Sequence, residues 1–196
     1  MHRNVLVLAI LALAPAASAQ GLSQGDRDRI LSHLHGTRKL TLDAVAGLTD
    51  AQWKFKPADD RWSIGEVLEH LVLAERGLFA MTRKTAAGPS VEAPPAGKPT
   101  DDAILKGIVS REQKAQSPEM FLPTGRFGAK TLDEYKAARA ATLDYARETQ
   151  DELRQKIAPS PMGPLDAAQW LLFISAHNER HLGQIAEIKA DAKYPK

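Results

Sequence analysis

The sequence contains four long stretches in which apolar residues recur every three or four positions, separated by connections that lack this spacing. This is the period of an amphipathic α-helix, and no stretch alternates with the period of two that is typical of a half-buried strand. The spacing predicts helices from about Gln24 to Ala46, from the cap residue Ser63 through Met81, from Thr131 to about Ile157, and from about Asp166 to Ala190. The regular structure predicted for this chain is therefore entirely helical.

The connection between the second and third predicted helices is unusually long. Residues 85–100, TAAGPSVEAPPAGKPT, are rich in Pro, Gly and Ala and indicate an exposed linker. A short helix is expected from Asp101 to Lys114, followed by a second irregular stretch. Such a connection can cross a bundle, so the predicted fold class is all-α, a four-helix bundle with a long crossing connection between helices 2 and 3.

The first nineteen residues have the three parts of a secretory signal peptide. A basic start with Arg3 precedes an apolar run from Val5 to Ala14, and the triplet Ala17-Ser18-Ala19 ends the segment. We expect cleavage after Ala19, a bundle domain at residues 20–196, and a periplasmic or secreted protein. An uncleaved anchor is the alternative, but a run of about ten residues is short for a bilayer. No stable membrane insertion is expected once the leader is removed.

The charge balance changes the range of expected partners. Twenty-six Lys and Arg against twenty-four Asp and Glu give a net charge of +2, which falls to +1 when Arg3 leaves with the leader. A nearly neutral chain gives no electrostatic reason to expect nucleic acid as a partner. Cysteine is absent from the sequence, so a metal site in this chain must use His, Asp or Glu.

Three histidines interrupt the apolar stripes. His177 and His181 lie one turn apart on the stripe that contains Ile174 and Ile185, and His70 lies on or beside the inward face of the second helix. The spacing HxxxH alone is also found among surface residues and hydrogen-bonded core groups. Three imidazoles from two helices, however, can hold a divalent transition metal and leave positions open. Zinc or nickel is the favoured ion, although histidine nitrogen also suits copper and iron.

The segments RWSIGEVLEHL and HNERHLGQI together resemble the DinB-like family of metal-binding four-helix bundles. The resemblance covers nearly the whole mature chain and implies that His70, His177 and His181 bind one divalent ion. It also implies a bundle with a crossed connection and a possible homodimer. Known relatives include transferases and isomerases that use low-molecular-weight thiols. The leader departs from this pattern, because such thiols are scarce outside the cytoplasm.

Two classes of function remain open from the sequence. The first is a metal-dependent enzyme, either a hydrolase or a thiol-dependent transferase, acting on an unidentified small molecule. The second is a non-catalytic periplasmic protein that binds a metal or a small ligand. A fourth protein ligand would favour the second class, and an open metal face would favour the first. The sequence identifies the three histidines as metal ligands and identifies no catalytic residue.

Five further polar residues could belong to the site. Glu66 could orient His70, although its spacing from Ser63 favours a helix cap, and Gln184 could face the site or an interface. His33 lies beside the stripe of the first helix. Tyr135 and Arg139 could contact a ligand, but a tyrosine at the core edge and a solvated arginine are the favoured interpretations.

Overall fold

The computed structural model describes residues 21–112 and 116–196. Within these ranges the α-helices are α1 (Gln24–Val45), α2 (Asp50–Lys54), α3 (Ile64–Ala86), α4 (Asp101–Val109), α5 (Ala129–Glu148) and α6 (Ala167–Lys189), and one turn of 3-10 helix spans Glu119–Phe121. The four long helices α1, α3, α5 and α6 confirm the predicted all-α bundle. In the described part of the chain no helix is long and apolar enough to cross a membrane. The predicted leader, residues 1–19, lies outside the described residues.

The four long helices do not follow one another around the bundle. α1 packs against α5 and α6, and α3 packs against the same two helices. α1 and α3 therefore stand at opposite corners, although they are consecutive long helices. The connection from α3 to α5 contains α4, which packs against α6. This is the long crossing connection that the sequence predicts.

The predicted C-terminal end of the third long helix is wrong. α5 ends at Glu148, and Ile157 belongs to the strand β1 (Ile157–Ala158), which pairs antiparallel with β2 (Leu165–Asp166). Leu153 continues the apolar spacing and is fully buried, but it is buried from a turn and not from a helix. The expectation of an entirely helical chain is corrected by this one pair of short strands.

Arg154, in the loop that follows α5, contacts the starts of three other helices. Its guanidinium lies 2.5 Å from Asp26, 2.7 Å from Asp101 and 3.4 Å from Asp166. These aspartates lie at the N-terminal ends of α1, α4 and α6, where negative charge is favourable. One arginine in the loop thus joins three helix starts.

Two shorter elements also differ from the sequence prediction. The connection between α1 and α3 contains α2, which begins with a capping box between Thr49 and Gln52. The helix expected from Asp101 to Lys114 ends at Val109, and Lys114 lies outside the described residues. Neither segment is long enough to show a helical apolar period over several turns.

The expectation of a solvated Arg139 is wrong, because its side chain is fully buried at the centre of the bundle. Arg139 Nε and the second guanidinium nitrogen each donate to Glu75 at 2.8 Å, so the pair is bidentate. The guanidinium also donates to the carbonyl of Leu34 at 2.7 Å, and the neighbouring Tyr135 hydroxyl donates to Asn178 at 2.9 Å. This polar network joins all four long helices. Tyr135 is fully buried as well, and so lies deeper than the core edge.

Candidate metal centre

Two capping boxes set where α3 and α6 begin. Ser63 Oγ accepts from the backbone N–H of Glu66 at 3.2 Å, and Glu66 accepts in return from the N–H of Ser63 at 2.8 Å. Asp166 and Gln169 repeat this exchange at the start of α6, at 2.7 and 3.1 Å. A fixed helix start fixes which side chains face the neighbouring helix. α3 and α6 pack directly against each other, so their inward histidines meet.

The three predicted histidines converge through one nitrogen each. His70 Nε2 lies 3.2 Å from His177 Nε2, and His181 Nε2 lies 3.3 Å from the same atom. His70 and His181 are buried, whereas His177 is partly buried. The expected convergence of two helices on one point is therefore present.

In two of the three imidazoles a hydrogen bond at Nδ1 fixes the tautomer. His70 Nδ1 lies 2.7 Å from the carbonyl oxygen of Phe121, which can only accept, so Nδ1 carries the proton. His181 Nδ1 donates in the same way to the amide oxygen of Gln184 at 2.8 Å. The Nε2 atoms of both rings therefore present lone pairs to the shared point. Hydrogen bonds of this kind orient histidine ligands in metal sites.

Two of the three nitrogen separations match those expected around a divalent ion with tetrahedral preference. With metal–nitrogen bonds of about 2.0–2.1 Å, the two nitrogen separations of 3.2 and 3.3 Å correspond to ligand–metal–ligand angles of about 100–110°. Three lone pairs can face one another at this distance only around a cation or a single shared proton. His177 Nδ1 is buried and has no hydrogen-bond partner among the described residues. A bound cation would fix the tautomer of this third ring.

Burial keeps all three imidazoles neutral. Loss of water is the main cause that lowers the pKa of His70, lowers that of His177 well below its ordinary value, and lowers that of His181 to about 3. The neighbouring rings and Arg180 lower the pKa of His177 and His181 further, because a second positive charge there would be repelled. Neutral imidazole is the form that binds metal.

Aromatic rings cover the sides of the histidine cluster. The ring centroids of Trp62 and His70 lie 4.9 Å apart. The Trp62 ring also stacks on that of His181, with 6.4 Å between the centroids. Phe173 stacks on His177 at 6.5 Å. These apolar faces exclude water from the rings and so contribute to their lowered pKa values.

Comparison with known proteins agrees with this architecture. The sequence profile of the DinB superfamily matches residues 33–185, a range that contains all three histidines. The chain belongs to the DinB superfamily. It is 28% identical over 162 residues to the uncharacterised protein YuaE of Bacillus subtilis, covering 81% of this chain and 96% of YuaE.

A solved structure shows the same fold as this DinB superfamily member. YfiT from Bacillus subtilis, described as a probable metal-dependent hydrolase with an unusual four-helix bundle topology, superposes with a TM-score of 0.58. The alignment covers 95% of this chain and 97% of YfiT at 14% sequence identity. At this identity the likeness shows the fold alone.

The five further candidate residues of this DinB superfamily member have separate places. Gln184 orients His181, while Glu66 caps α3 and pairs with Lys56 at 2.8 Å. His33 is not a member of the convergent group, and Tyr135 and Arg139 belong to the buried polar network. Of these five residues, Gln184 alone contacts one of the three histidines through a hydrogen bond described above.

Sequence reasoning missed the backbone carbonyl of Phe121, because a carbonyl leaves no mark on residue type. It also missed Trp62, whose ring lies beside those of His70 and His181. A usable signal was present in α3, because two glycines, Gly65 and Gly77, lie inside this long helix. Glycine inside a helix often marks the close approach of another segment. In this DinB superfamily member both glycines contact the loop that contains Phe121.

Proposed function

We propose that His70, His177 and His181 bind one divalent transition-metal ion and that the protein is a metal-dependent hydrolase. The observation that carries the proposal is the convergence of three Nε2 atoms, two of them held in the metal-binding tautomer. Among the described residues the group has three members, all histidine. Three protein ligands leave coordination positions for water and substrate, which is the arrangement of catalytic zinc sites.

The chain orients the histidine ligands and shields them from water. Phe121 and Gln184 hold the protonated Nδ1 atoms of two ligands, and the rings of Trp62 and Phe173 cover the imidazoles. A divalent ion supplies Lewis acidity and lowers the pKa of water at the site. Zinc is the favoured ion, with nickel second, because the angles implied by the His70–His177 and His177–His181 separations are near tetrahedral.

Hydrolysis is favoured over thiol transfer for two reasons. YfiT, which has the same fold, is described as a probable metal-dependent hydrolase. The leader proposed at residues 1–19 would also direct this protein away from the cytoplasmic thiol pool. The non-catalytic alternative, a periplasmic protein that binds a metal or a small ligand, is less favoured because no fourth His, Asp or Glu joins the cluster among the described residues.

Metal analysis of protein purified without a histidine tag tests the proposal. We expect one metal ion per chain, and hydrolysis of a panel of activated carboxylic and phosphoric esters that a chelator abolishes and added zinc restores. Metal at one per chain without hydrolysis, in this panel or one of amides, would favour the non-catalytic alternative. A chain that retains no metal after equilibration with zinc would overturn the metal site itself.

Export and assembly are further proposals. The tripartite leader supports export, so N-terminal sequencing of the processed protein should begin at Gln20, and an intact soluble form that begins at Met1 would contradict it. The homodimer is supported by the family resemblance alone. Light scattering at micromolar concentration should give twice the mass of one chain, and the mass of a single chain would remove this proposal.

A further inference from the structure

A loop between α4 and α5 lies along the surface of α3, and we call its residues 119–128 the strap. The ring of Phe121 packs on Gly77, where an added Cβ would lie 2.3 Å from Phe121 Cε1. The ring of Phe127 packs on Gly65, where an added Cβ would lie 2.1 Å from Phe127 Cδ2. The two glycines therefore allow both ends of the strap to contact the helix backbone closely.

Glu69 holds the middle of the strap. Its carboxylate accepts from Thr124 N at 3.0 Å, Thr124 Oγ1 at 2.7 Å, Gly125 N at 2.9 Å and Arg126 N at 3.1 Å. Consecutive backbone N–H groups that converge on one anion form a nest, and this one requires Gly125 to adopt a φ of +79°. Glu69 is 9% exposed, so its charge is satisfied almost entirely by the strap.

The same strap orients a member of the histidine cluster. The carbonyl of Phe121 accepts from His70 Nδ1 at 2.7 Å, and His70 follows Glu69 directly in α3. The position of that carbonyl determines the tautomer and the plane of the His70 ring. The strap position in turn depends on four hydrogen bonds to one carboxylate.

We propose that Glu69 is a positioning residue for the metal site: by anchoring residues 124–126 it fixes the Phe121 carbonyl and so holds His70 Nε2 on the metal. This inference rests on the function proposed above. It assigns to Glu69 an effect on metal affinity and coordination geometry, in addition to its effect on the loop.

Three variants separate positioning from charge and from general stability. In Glu69→Gln the amide keeps one acceptor, but its NH2 group faces backbone N–H donors and opens the nest. Glu66→Gln is the matched control, because it removes the same charge from the same helix at a residue bound to Ser63 and Lys56. Thr124→Val keeps the charge of Glu69 and removes only the hydroxyl contact at 2.7 Å.

Each variant is measured as a metal-free, tag-free protein in two ways. Zinc affinity is obtained by competition with a chromophoric chelator, and coordination geometry from the visible absorption of the cobalt(II) form. We expect Glu69→Gln to weaken zinc binding by about tenfold, which is the lower end of the range for loss of a residue that orients a metal ligand. We also expect a changed cobalt spectrum in Glu69→Gln, a smaller change in the same direction in Thr124→Val, and wild-type behaviour in Glu66→Gln.

The outcomes distinguish this inference from the proposed function. A wild-type chain that binds neither zinc nor cobalt overturns the proposed metal site and this inference with it. Wild-type binding together with an unchanged affinity and spectrum in Glu69→Gln overturns the positioning role alone. Equal losses in Glu69→Gln and Glu66→Gln would show a charge effect and also overturn it. If Glu69→Gln does not fold, Thr124→Val decides, and wild-type affinity and spectrum in that variant overturn the proposal.

Discussion

At the scale of single residues, the three histidines are unequal. Phe121 orients His70, and Gln184 orients His181, each through a hydrogen bond at Nδ1. His177 Nδ1 lacks a hydrogen-bond partner among the described residues. His177 nevertheless lies between the other two rings, with its Nε2 within 3.3 Å of both. Its orientation therefore depends on helix packing and on the ion that we propose it binds.

Replacement of any one of these histidines should remove most of the bound metal. Loss of a residue that hydrogen-bonds to a metal ligand typically weakens metal binding by roughly 10–100-fold. We expect a larger fall in zinc affinity in His70→Ala, His177→Ala and His181→Ala, because each of these variants loses a ligand itself. His35→Ala is the control, since His35 is exposed on α1. Competition titration measures the affinities, and one metal per chain retained after two of these changes would place the site elsewhere.

The buried imidazoles also predict how the metal-free protein responds to acid. Each has a folded pKa below the unfolded value of about 6.5, so the unfolded state takes up protons first as the pH falls. The resulting loss of folding stability is absent above pH 6.5 and grows as the pH falls below it. For His181 the loss continues to grow down to a pH of about 3. The free energy of unfolding should fall by up to about 1.4 kcal/mol per pH unit for each histidine.

Urea unfolding of chelator-treated protein between pH 7.5 and about pH 4.5 measures this slope, since most carboxylates titrate at lower pH. His181→Gln should have a shallower slope because it removes one titrating group. A free energy of unfolding that stays constant over this range would contradict the predicted neutrality of the cluster.

At the scale of elements, residues near in sequence were easier to predict than partners distant in sequence. The capping boxes that begin α3 and α6 are visible in four consecutive residues, and both form. The burial of Arg139 was not predicted, because its partner Glu75 lies on another helix, 64 residues away, and sequence spacing does not reveal such a pair. The strap escaped prediction for the same reason, since its contacts with α3, at Gly65, Glu69, His70 and Gly77, are all long-range.

Gly77→Ala tests whether the strap contact outweighs helix propensity. Propensity alone would stabilise α3 by roughly 1 kcal/mol. The added Cβ, however, would lie 2.3 Å from the Phe121 ring, so the strap must shift. We expect a lower free energy of unfolding and weaker zinc binding, measured by urea unfolding and chelator competition.

Gly36→Ala in α1 is the control for this substitution. An added Cβ at Gly36 has no heavy atom within 4 Å among the neighbours considered, so this variant should gain about 0.5–1 kcal/mol and keep its zinc affinity. If Gly77→Ala is stabilised to the same degree with unchanged zinc affinity, the strap tolerates displacement and does not orient His70.

At the scale of the whole molecule, the helical period predicted the number of long helices, and the length of the linker between the second and third of them predicted that the connection crosses the bundle. The helical period could not predict the placement of α1 and α3 at opposite corners, because every amphipathic stripe can pack against any other. The buried network around Arg139 and Glu75 distinguishes among these arrangements. It can be satisfied only when Leu34, Asn178 and the Arg139–Glu75 pair meet from four helices.

The network predicts a large and non-additive loss of stability. Arg139→Met leaves Glu75 buried without its cation, and Glu75→Leu leaves Arg139 buried without its anion, so each should lower the free energy of unfolding by about 3–5 kcal/mol. The double variant removes both charges and replaces them with apolar volume. It should therefore be more stable than the sum of the single losses implies, and this difference is measured by a double-mutant cycle in urea. Losses that simply add would show that the two side chains act independently, and that the network does not select the arrangement of the four helices.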